Sequence, residues 1–334
     1  MIFYEPIKND MYNLTIAVIT YNRANYLKEM LDSILQQTYK DFYVIIYDNC
    51  SEDNTTETVK SYLSDERFSY HRHTANIGAN NINYALNNCT TDYLIIAHDD
   101  DVMLPDMVKR EIAVFDSYDD ISLVWTNINH IDINSKIIET SISSPSLNNQ
   151  DCIIKSKEYI KTLSSKGNLI NCPTVMFRMS IIKANNLSFR REIGGACDCY
   201  LWLEINQLNY NFYYINTPLY NYRLHNLQDS HNTLKLFPLL RKPVYNLLVE
   251  NKYPDNIIKS WLRKVENDTL DEICKNKITN KSFLTIKNDV LFRDKKDFFF
   301  LGKIYFLLPF KRFYNLTKRI IKKSIVYKRL YNKQ

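Results

Sequence analysis

Asp99, Asp100 and Asp101 stand side by side, one residue after the apolar run Tyr93–Ala97. Adjacent carboxylates repel one another and destabilise a folded chain unless positive charge sits among them. A hard divalent cation is the natural partner, because Mg²⁺ or Mn²⁺ keeps several waters and bridges one or two carboxylates to a substrate's phosphates. The chemistry this implies is a metal–diphosphate site. The plain alternative is an acidic turn that caps the next helix, where Asp is favoured. A fourth carboxylate, Asp198, follows Gly194-Gly195 and opens an apolar helix through Tyr200, Leu201 and Trp202 to about Leu208. Capping is its structural role, with room for a second one. Further on, Tyr222-Arg223-Leu224-His225 places a cation beside an imidazole, which suits contact with an anion or a metal. A surface loop is the competing reading there.

The elements that position these residues show in the hydrophobic pattern. Leu14–Thr20 is a β-branched apolar run of strand length, buried on both faces as a parallel central strand would be. Polar Tyr21-Asn22-Arg23 follows it. Asn25 is placed to cap the next helix, whose Tyr26, Leu27, Met30, Leu31, Ile34 and Leu35 share one face. Phe42–Tyr47 is a second strand, ending in Asp48. Thr55–Leu63 reads as a helix, Phe68–Arg72 as a third strand, Ala79–Asn88 as a helix and Tyr93–Ala97 as the fourth strand. This alternation predicts βαβ units and a parallel sheet, with the polar residues gathered at the carboxyl ends of its strands. After Pro105 the pattern predicts a helix to about Phe115. Strands follow at Ser122–Thr126, Asn171–Arg178 and Tyr213–Leu219, with a polar hairpin and loop over 132–149. No GxGxxG follows the first strand and no P-loop is present, so dinucleotide-binding and Walker-type sites are poorly supported.

Composition sets the outer bounds. The 334 residues fit one large domain with an appendage or two domains, and 45% hydrophobic with 24% charged residues is ordinary for a globular protein. Seven cysteines without regular pairing argue for a reducing compartment rather than a disulfide framework. Cys197-x-Cys199 alone is too little for structural zinc. No secretory signal or membrane-spanning run is visible, which leads to the expectation of a cytoplasmic protein. The net charge is +6, and the excess collects after Lys303, where Lys and Arg continue without Asp or Glu. Residues 298–334 interleave aromatics, aliphatics and basic residues in the manner of an amphipathic helix. That points to an anionic membrane surface, and so to peripheral attachment at the inner face of the cell membrane. Nucleic acid is disfavoured because no recognition fold accompanies the charge.

Six short motifs, in order from Leu14 to Ser230, resemble the family-2 glycosyltransferases, nucleotide-sugar-dependent enzymes of the GT-A fold. They are Ile19-Thr20-Tyr21-Asn22-Arg23; Asp48-Asn49-Cys50-Ser51 with Thr55 beyond; Asn76-Ile77-Gly78; His98-Asp99-Asp100-Asp101 with Leu104-Pro105; Asp198-Cys199-Tyr200-Leu201-Trp202; and Tyr222-Arg223-Leu224-His225. The resemblance implies an α/β GT-A (Rossmann-like), mostly parallel sheet flanked by helices over 1–232, followed by a mainly helical extension over 233–334. It also implies roles. Thr20 and Tyr21 would line the base pocket, with Asn22, Arg23, Asn76 and Gly78 in the nucleotide-sugar site, and Asp48 would hydrogen-bond the base. Asp99 and Asp100 would contact the donor. Asp100, Asp101 and His225 would hold Mg²⁺ or Mn²⁺, with Arg223 near the diphosphate. Asp198 would be the general base. Two departures stand out: Cys197 precedes Asp198 where the family often has Glu, and Ile82 precedes Asn83 where it often has Arg. No Gln-x-x-Arg-Trp follows, which disfavours a processive synthase.

The resemblance implies inverting transfer of one sugar from a nucleoside diphosphate, with UDP favoured by a Tyr stack and an Asp partner. The acceptor would be a glycan or lipid-linked saccharide of the cell surface. Two rivals are weighed against it. A nucleotidyltransferase would need basic residues around a triphosphate near the first strand, where only Arg23 and Lys28 stand. A catalytically silent glycan- or partner-binding protein at the membrane would have no use for both the acid cluster and Asp198.

Overall fold

In the computed structural model, residues 11–142, 147–225 and 237–274 are described. They fall into two compact units, one from residues 1–192 and 197–228, the other from 193–196 and 229–334.

The first unit is built on a ten-stranded mixed sheet flanked by helices. Its parallel half has the order β3-β2-β1-β4: β1 (Leu14–Thr20), β2 (Phe42–Asp48), β3 (Phe68–Arg72) and β4 (Tyr93–His98). β1, β2 and the middle of β4 are legible in the sequence because both faces are covered, so most of their residues are buried and apolar, whereas only Phe68 and Ser69 of the edge strand β3 are buried. Helix α1 (Ala24–Leu35) connects β1 to β2 and buries Leu27, Met30, Leu31 and Ile34 completely. Each of these side chains contributes about 2 kcal/mol relative to exposure. Asn25 does not cap this helix. It lies inside it, and the free N–H of Ala24 donates instead to Oδ2 of Asp53 at 2.9 Å. That carboxylate comes from the loop after β2, so one side chain caps α1 and joins two strand ends. Helix α2 is shorter than expected, Thr55–Lys60, and α3 spans Asn81–Asn88 after a 3₁₀ turn at Gly78–Asn80.

The register brings the strand ends together. Thr20 pairs with Asp48 across β1–β2, and Ile19 pairs with His98 across β1–β4, so Asp99 begins beside Thr20. After the three acids the chain forms a short strand β5 (Val102–Met103), and then helix α4 (Met107–Ser117).

The other half of the sheet departs most from the expected pattern. Strand β6 runs from Ile121 to Ile131, well beyond Thr126, and turns back through β7 (Ile137–Glu139). A strand β8 (Cys152–Ile154) and helix α5 (Tyr159–Lys166) come next. Only Val175–Arg178 of the expected 171–178 strand is extended. This is β9, and Cys172–Thr174 before it is 3₁₀. Helices α6 (Met179–Ala184) and α7 (Cys197–Gln207) precede β10, which spans Asn211–Arg223. Residues Tyr222 and Arg223 are therefore strand, not surface loop. β10 pairs with β6 along most of its length and, through Tyr220 and Asn221, with β5. That last pairing holds the acid turn from its far side.

In the second unit, α8 (Phe237–Glu250) and α9 (Asp255–Cys274) bury Leu240, Val244, Leu248, Trp261 and Val265. The basic segment 298–334 lies outside the described residues. Among the described residues no helix is long and apolar enough to cross a membrane. Cys50, Cys89, Cys152, Cys172, Cys197 and Cys199 are free thiols.

Candidate functional site

The three acids at the end of β4 are all buried, and each has different partners. Asp99 accepts the main-chain N–H of Tyr21 at 3.2 Å on Oδ2 and Nη1 of Arg23 at 3.0 Å on Oδ1. The same guanidinium nitrogen lies 3.1 Å from Oδ2 of Asp100. The turn after β1 is thus folded onto the acids by a shared cation. Burial pushes Asp99 up to about 6 despite Arg23. Asp100 moves the other way. Burial opposes its ionisation, but the charges of His98 and Arg23 and a 2.9 Å bond with Nε2 of His225 outweigh that and hold it below the usual range. Asp101 has no exposed surface, accepts the main-chain N–H of Arg223 at 2.8 Å on Oδ1, and is pushed well above the usual range by burial and by Asp100.

Oδ2 of Asp101 is a buried carboxylate oxygen with no hydrogen-bond partner among the described residues. His98, Asp100 and Asp101 each offer one ligand atom, all within 4.8 Å of one another. Two carboxylates, one with an orphaned oxygen, and one imidazole fit Mg²⁺ or Mn²⁺. A dication there would pull the raised carboxyls back toward ionisation. His98, quoted in the motif but given no role from sequence, belongs to this donor set. Its signal was its place beside the acids. His225 reaches Asp100 and stacks on Tyr26 with ring centroids 5.6 Å apart.

Arg223 stands at the end of β10 rather than in a surface loop. The residue is fully buried, and its guanidinium is bonded within the protein. Nε donates to the carbonyl of Asp100 at 2.6 Å, Nη1 to Ser135 Oγ at 2.9 Å and the Asp132 carbonyl at 3.1 Å, and Nη2 to Glu29 at 2.7 Å. Its face lies 4.6 Å from the Tyr26 ring. It is a buried scaffold that fixes the acid turn from behind. Glu29, on α1, was invisible to motif reading because its partner lies 194 residues away.

Asp48 likewise lies beneath the surface and is bonded within the protein. It is fully buried, accepts the N–H of Ser51 at 2.8 Å on Oδ1, and meets the Tyr70 hydroxyl and Arg72 on Oδ2. Ser51 in turn accepts the N–H of Asn22, and Asn22, in the left-handed region at φ 53°, accepts the N–H of Glu52 at 2.7 Å. Tyr21 projects from this locked turn and is 42% exposed, a ring available for stacking, while Thr20 is buried beneath it. The turn Asn76-Ile77-Gly78 is pinned by Asn49, which accepts from Ile77 at 2.7 Å and donates to the Gly78 carbonyl at 3.0 Å. Asn76 accepts the Gly78 N–H, and Gly78 takes φ 60°, where a side chain is disfavoured. Lys28 pairs with Asp32 on the same helix and stays outside the site.

Asp198 sits in the first turn of α7. Trp202, fully buried, anchors that helix on Phe177 of β9 and on Phe189. Oδ1 accepts the N–H of Cys199 at 2.7 Å, and Oδ2 receives a long 3.4 Å contact from Nδ2 of Asn168. The Asn168 amide is oriented because its oxygen accepts from the Tyr159 hydroxyl at 2.8 Å and from Ile170 N–H at 3.0 Å. Burial pushes Asp198 up to about 6. Burial, and after it the charge of Asp198, raises Cys172, whose 3₁₀ turn packs on β4, the strand that delivers the acids.

The profile described as Glycosyl transferase family 2 matches residues 15–184. The O-antigen biosynthesis glycosyltransferase WbnJ of Escherichia coli is 30% identical over 238 residues, covering 68% of this chain and 85% of that one. An uncharacterised glycosyltransferase of Methanocaldococcus jannaschii is 27% identical over 226 residues, covering 66% of this chain and 74% of its own. Among solved structures, residues 1–349 of TarS from Staphylococcus aureus in complex with UDP-GlcNAc superpose with a TM-score of 0.61 at 16% identity, covering 80% of this chain and 77% of that one. That likeness establishes the fold.

Proposed function

The chain belongs to glycosyl transferase family 2, and we propose that it moves one sugar from a UDP-linked donor to a hydroxyl of a cell-surface glycan or its lipid-linked precursor, with inversion at the anomeric carbon. The orphaned Oδ2 of Asp101, inside a set of ligand atoms that suits a dication, is the observation that carries this reading. Supporting it are the UDP-GlcNAc bound by TarS and the O-antigen role of WbnJ.

His98, Asp100 and Asp101 would hold Mg²⁺ or Mn²⁺, with His225 at hand beside Asp100. Such an ion supplies positive charge to the departing diphosphate. The exposed Tyr21 ring stacks on the uracil, while Thr20, Asn22 and the Asn76–Gly78 turn shape the pocket around it. Arg23 and Asp99 fix that turn against the acids. Asp198 accepts the proton of the acceptor hydroxyl as the oxygen attacks C1. The C1–oxygen bond to the diphosphate breaks, and the nucleoside diphosphate leaves with the electron pair. A carboxylate raised to about 6 is basic enough to assist and still ionised at neutral pH. The basic segment 298–334 is the proposed membrane contact, and deleting it should abolish binding to anionic vesicles.

Replacing Asp198 with Asn tests the base. Sugar transfer should fall by about 10²–10⁴-fold with the affinity for UDP and metal retained. Retained transfer would remove Asp198 from the mechanism.

A further inference from the structure

A cleft of about 490 Å³ opens between α3 and the helix that carries Asp198. Its frame is fixed. The Asn83 amide donates to the Phe189 carbonyl at 2.7 Å and accepts the Phe189 N–H at 2.9 Å, and Phe189 packs on Trp202 of α7. One wall starts at Asn80, two residues after the Gly78 turn of the donor site. The other includes Glu204, on the same helix as the base. Arg191 also lines the cleft; its Nη1 lies 3.1 Å from Cys197 Sγ, and its charge acts on Asp198. Arg191 thus ties the cleft to Cys197, the neighbour of the base, and Asn80 puts the other wall two residues along the chain from the donor turn.

Its chemistry is specific. The charged lining is Arg190 and Arg191 against Glu192 and Glu204, so the wall carries no net charge, and Arg190 is paired with Glu204. The rest is chiefly amide and hydroxyl, and the side chains of Asn80, Asn186 and Ser188 have no hydrogen-bond partner among the described residues. Amides and hydroxyls that both donate and accept match the vicinal hydroxyls of a sugar. The volume lies within the range of small-molecule sites. A phosphorylated polyol would need surplus cationic charge, and the lining has none.

We infer that this cleft seats the acceptor, and that the acceptor unit held there is a neutral saccharide without phosphate or carboxylate. This rests on the transferase reading above. Saturation-transfer NMR in the presence of UDP and Mg²⁺ tests it, with methyl β-N-acetylglucosaminide and methyl β-galactoside as neutral probes and ribitol 5-phosphate and methyl glucuronide as anionic ones. A neutral glycoside should bind, and Ser188→Phe, which fills the cleft, should weaken it by about tenfold, roughly 1.4 kcal/mol, with the thermal midpoint as the check on folding. Glu192→Lys, on the exposed rim, should shift preference toward the anionic probes. Tighter binding of anionic probes by the wild type, or affinity indifferent to both substitutions, would overturn the inference. So would the absence of glycoside binding where UDP still binds, which leaves the donor site standing. Failure of UDP itself to bind would overturn the transferase reading and this inference with it.

Discussion

The main-chain N–H of Arg223 donates to Oδ1 of Asp101 at 2.8 Å across 122 residues of sequence. The end of β10 and the end of β4 meet at this bond, and Nε of Arg223 adds a second bond to the carbonyl of Asp100. The acids are fixed from behind, and Oδ2 of Asp101 has no hydrogen-bond partner among the described residues.

Arg223→Met should therefore act on stability and metal affinity together. It removes the donors to Asp100, Asp132, Ser135 and Glu29 from a fully buried site. The expected loss is about 3 kcal/mol in urea unfolding. Binding of Mn²⁺ should weaken as well, because the acid turn is no longer held. Unchanged Mn²⁺ affinity would show that the turn needs no such support.

The pH dependence has a defined sign. Asp198 must be ionised to accept a proton, so kcat/KM should fall as pH drops through about 6. The Asn168 bond lowers the Asp198 value against the larger effect of burial, so Asn168→Leu should move the acid limb of the profile upward. A limb that stays in place would mean another group controls it.

Stability should run the opposite way in the metal-free protein. Asp99 and Asp198 are both raised to about 6 from near 3.8, so between these values the folded chain holds protons the unfolded chain has released. Stability from these groups is complete below about 4 and lost as pH rises through about 6. Asp100 is lowered, and its contribution is lost only at more acid pH. Without metal, the thermal midpoint should be higher at pH 5 than at pH 7.5, and Mn²⁺ should raise it at pH 7.5 through binding to the native state. A metal-free midpoint that rises with pH across this window would refute the account of the buried acids.

Away from the site, Glu111 on α4 is fully buried with neither carboxyl oxygen bonded among the described residues, and burial alone raises it well above the usual range. Glu111→Leu keeps the volume and removes the unpaired polar group. It should stabilise the fold by about 1–3 kcal/mol, most clearly at alkaline pH, with transfer activity unchanged. A destabilised variant would point to a partner for Glu111.

Much of the parallel half-sheet was legible because its strands are covered on both faces, and burial writes itself into Leu14–Thr20 and Phe42–Tyr47 as unbroken apolar runs. The rest needed tertiary structure. β10 continues beyond the expected Leu219 through Asn221 and Arg223, residues that local preference assigns to loops. They are carried as strand because β6 and β5 supply partners: Asn221 Oδ1 accepts from Asn129, and the Asn216 carbonyl accepts from Asn127. The cap of α1 was misassigned to Asn25 for the same reason, since Asp53 arrives from another loop. The acid cluster and Asp198 could be singled out by residue type and context. The burial of Asp48 and Arg223 could not, because a motif names a residue without saying which way its side chain faces.

In the proposed reaction His98, Asp100 and Asp101 would hold a dication against a nucleoside diphosphate. The decisive experiment is calorimetric titration of UDP, with and without Mn²⁺, into the wild type and Asp101→Asn. UDP binding should require Mn²⁺ and be lost in the variant, whose amide keeps the shape of the carboxylate but cannot supply its charge to the metal. UDP binding of equal strength without metal, or undiminished in Asp101→Asn, would contradict that proposal.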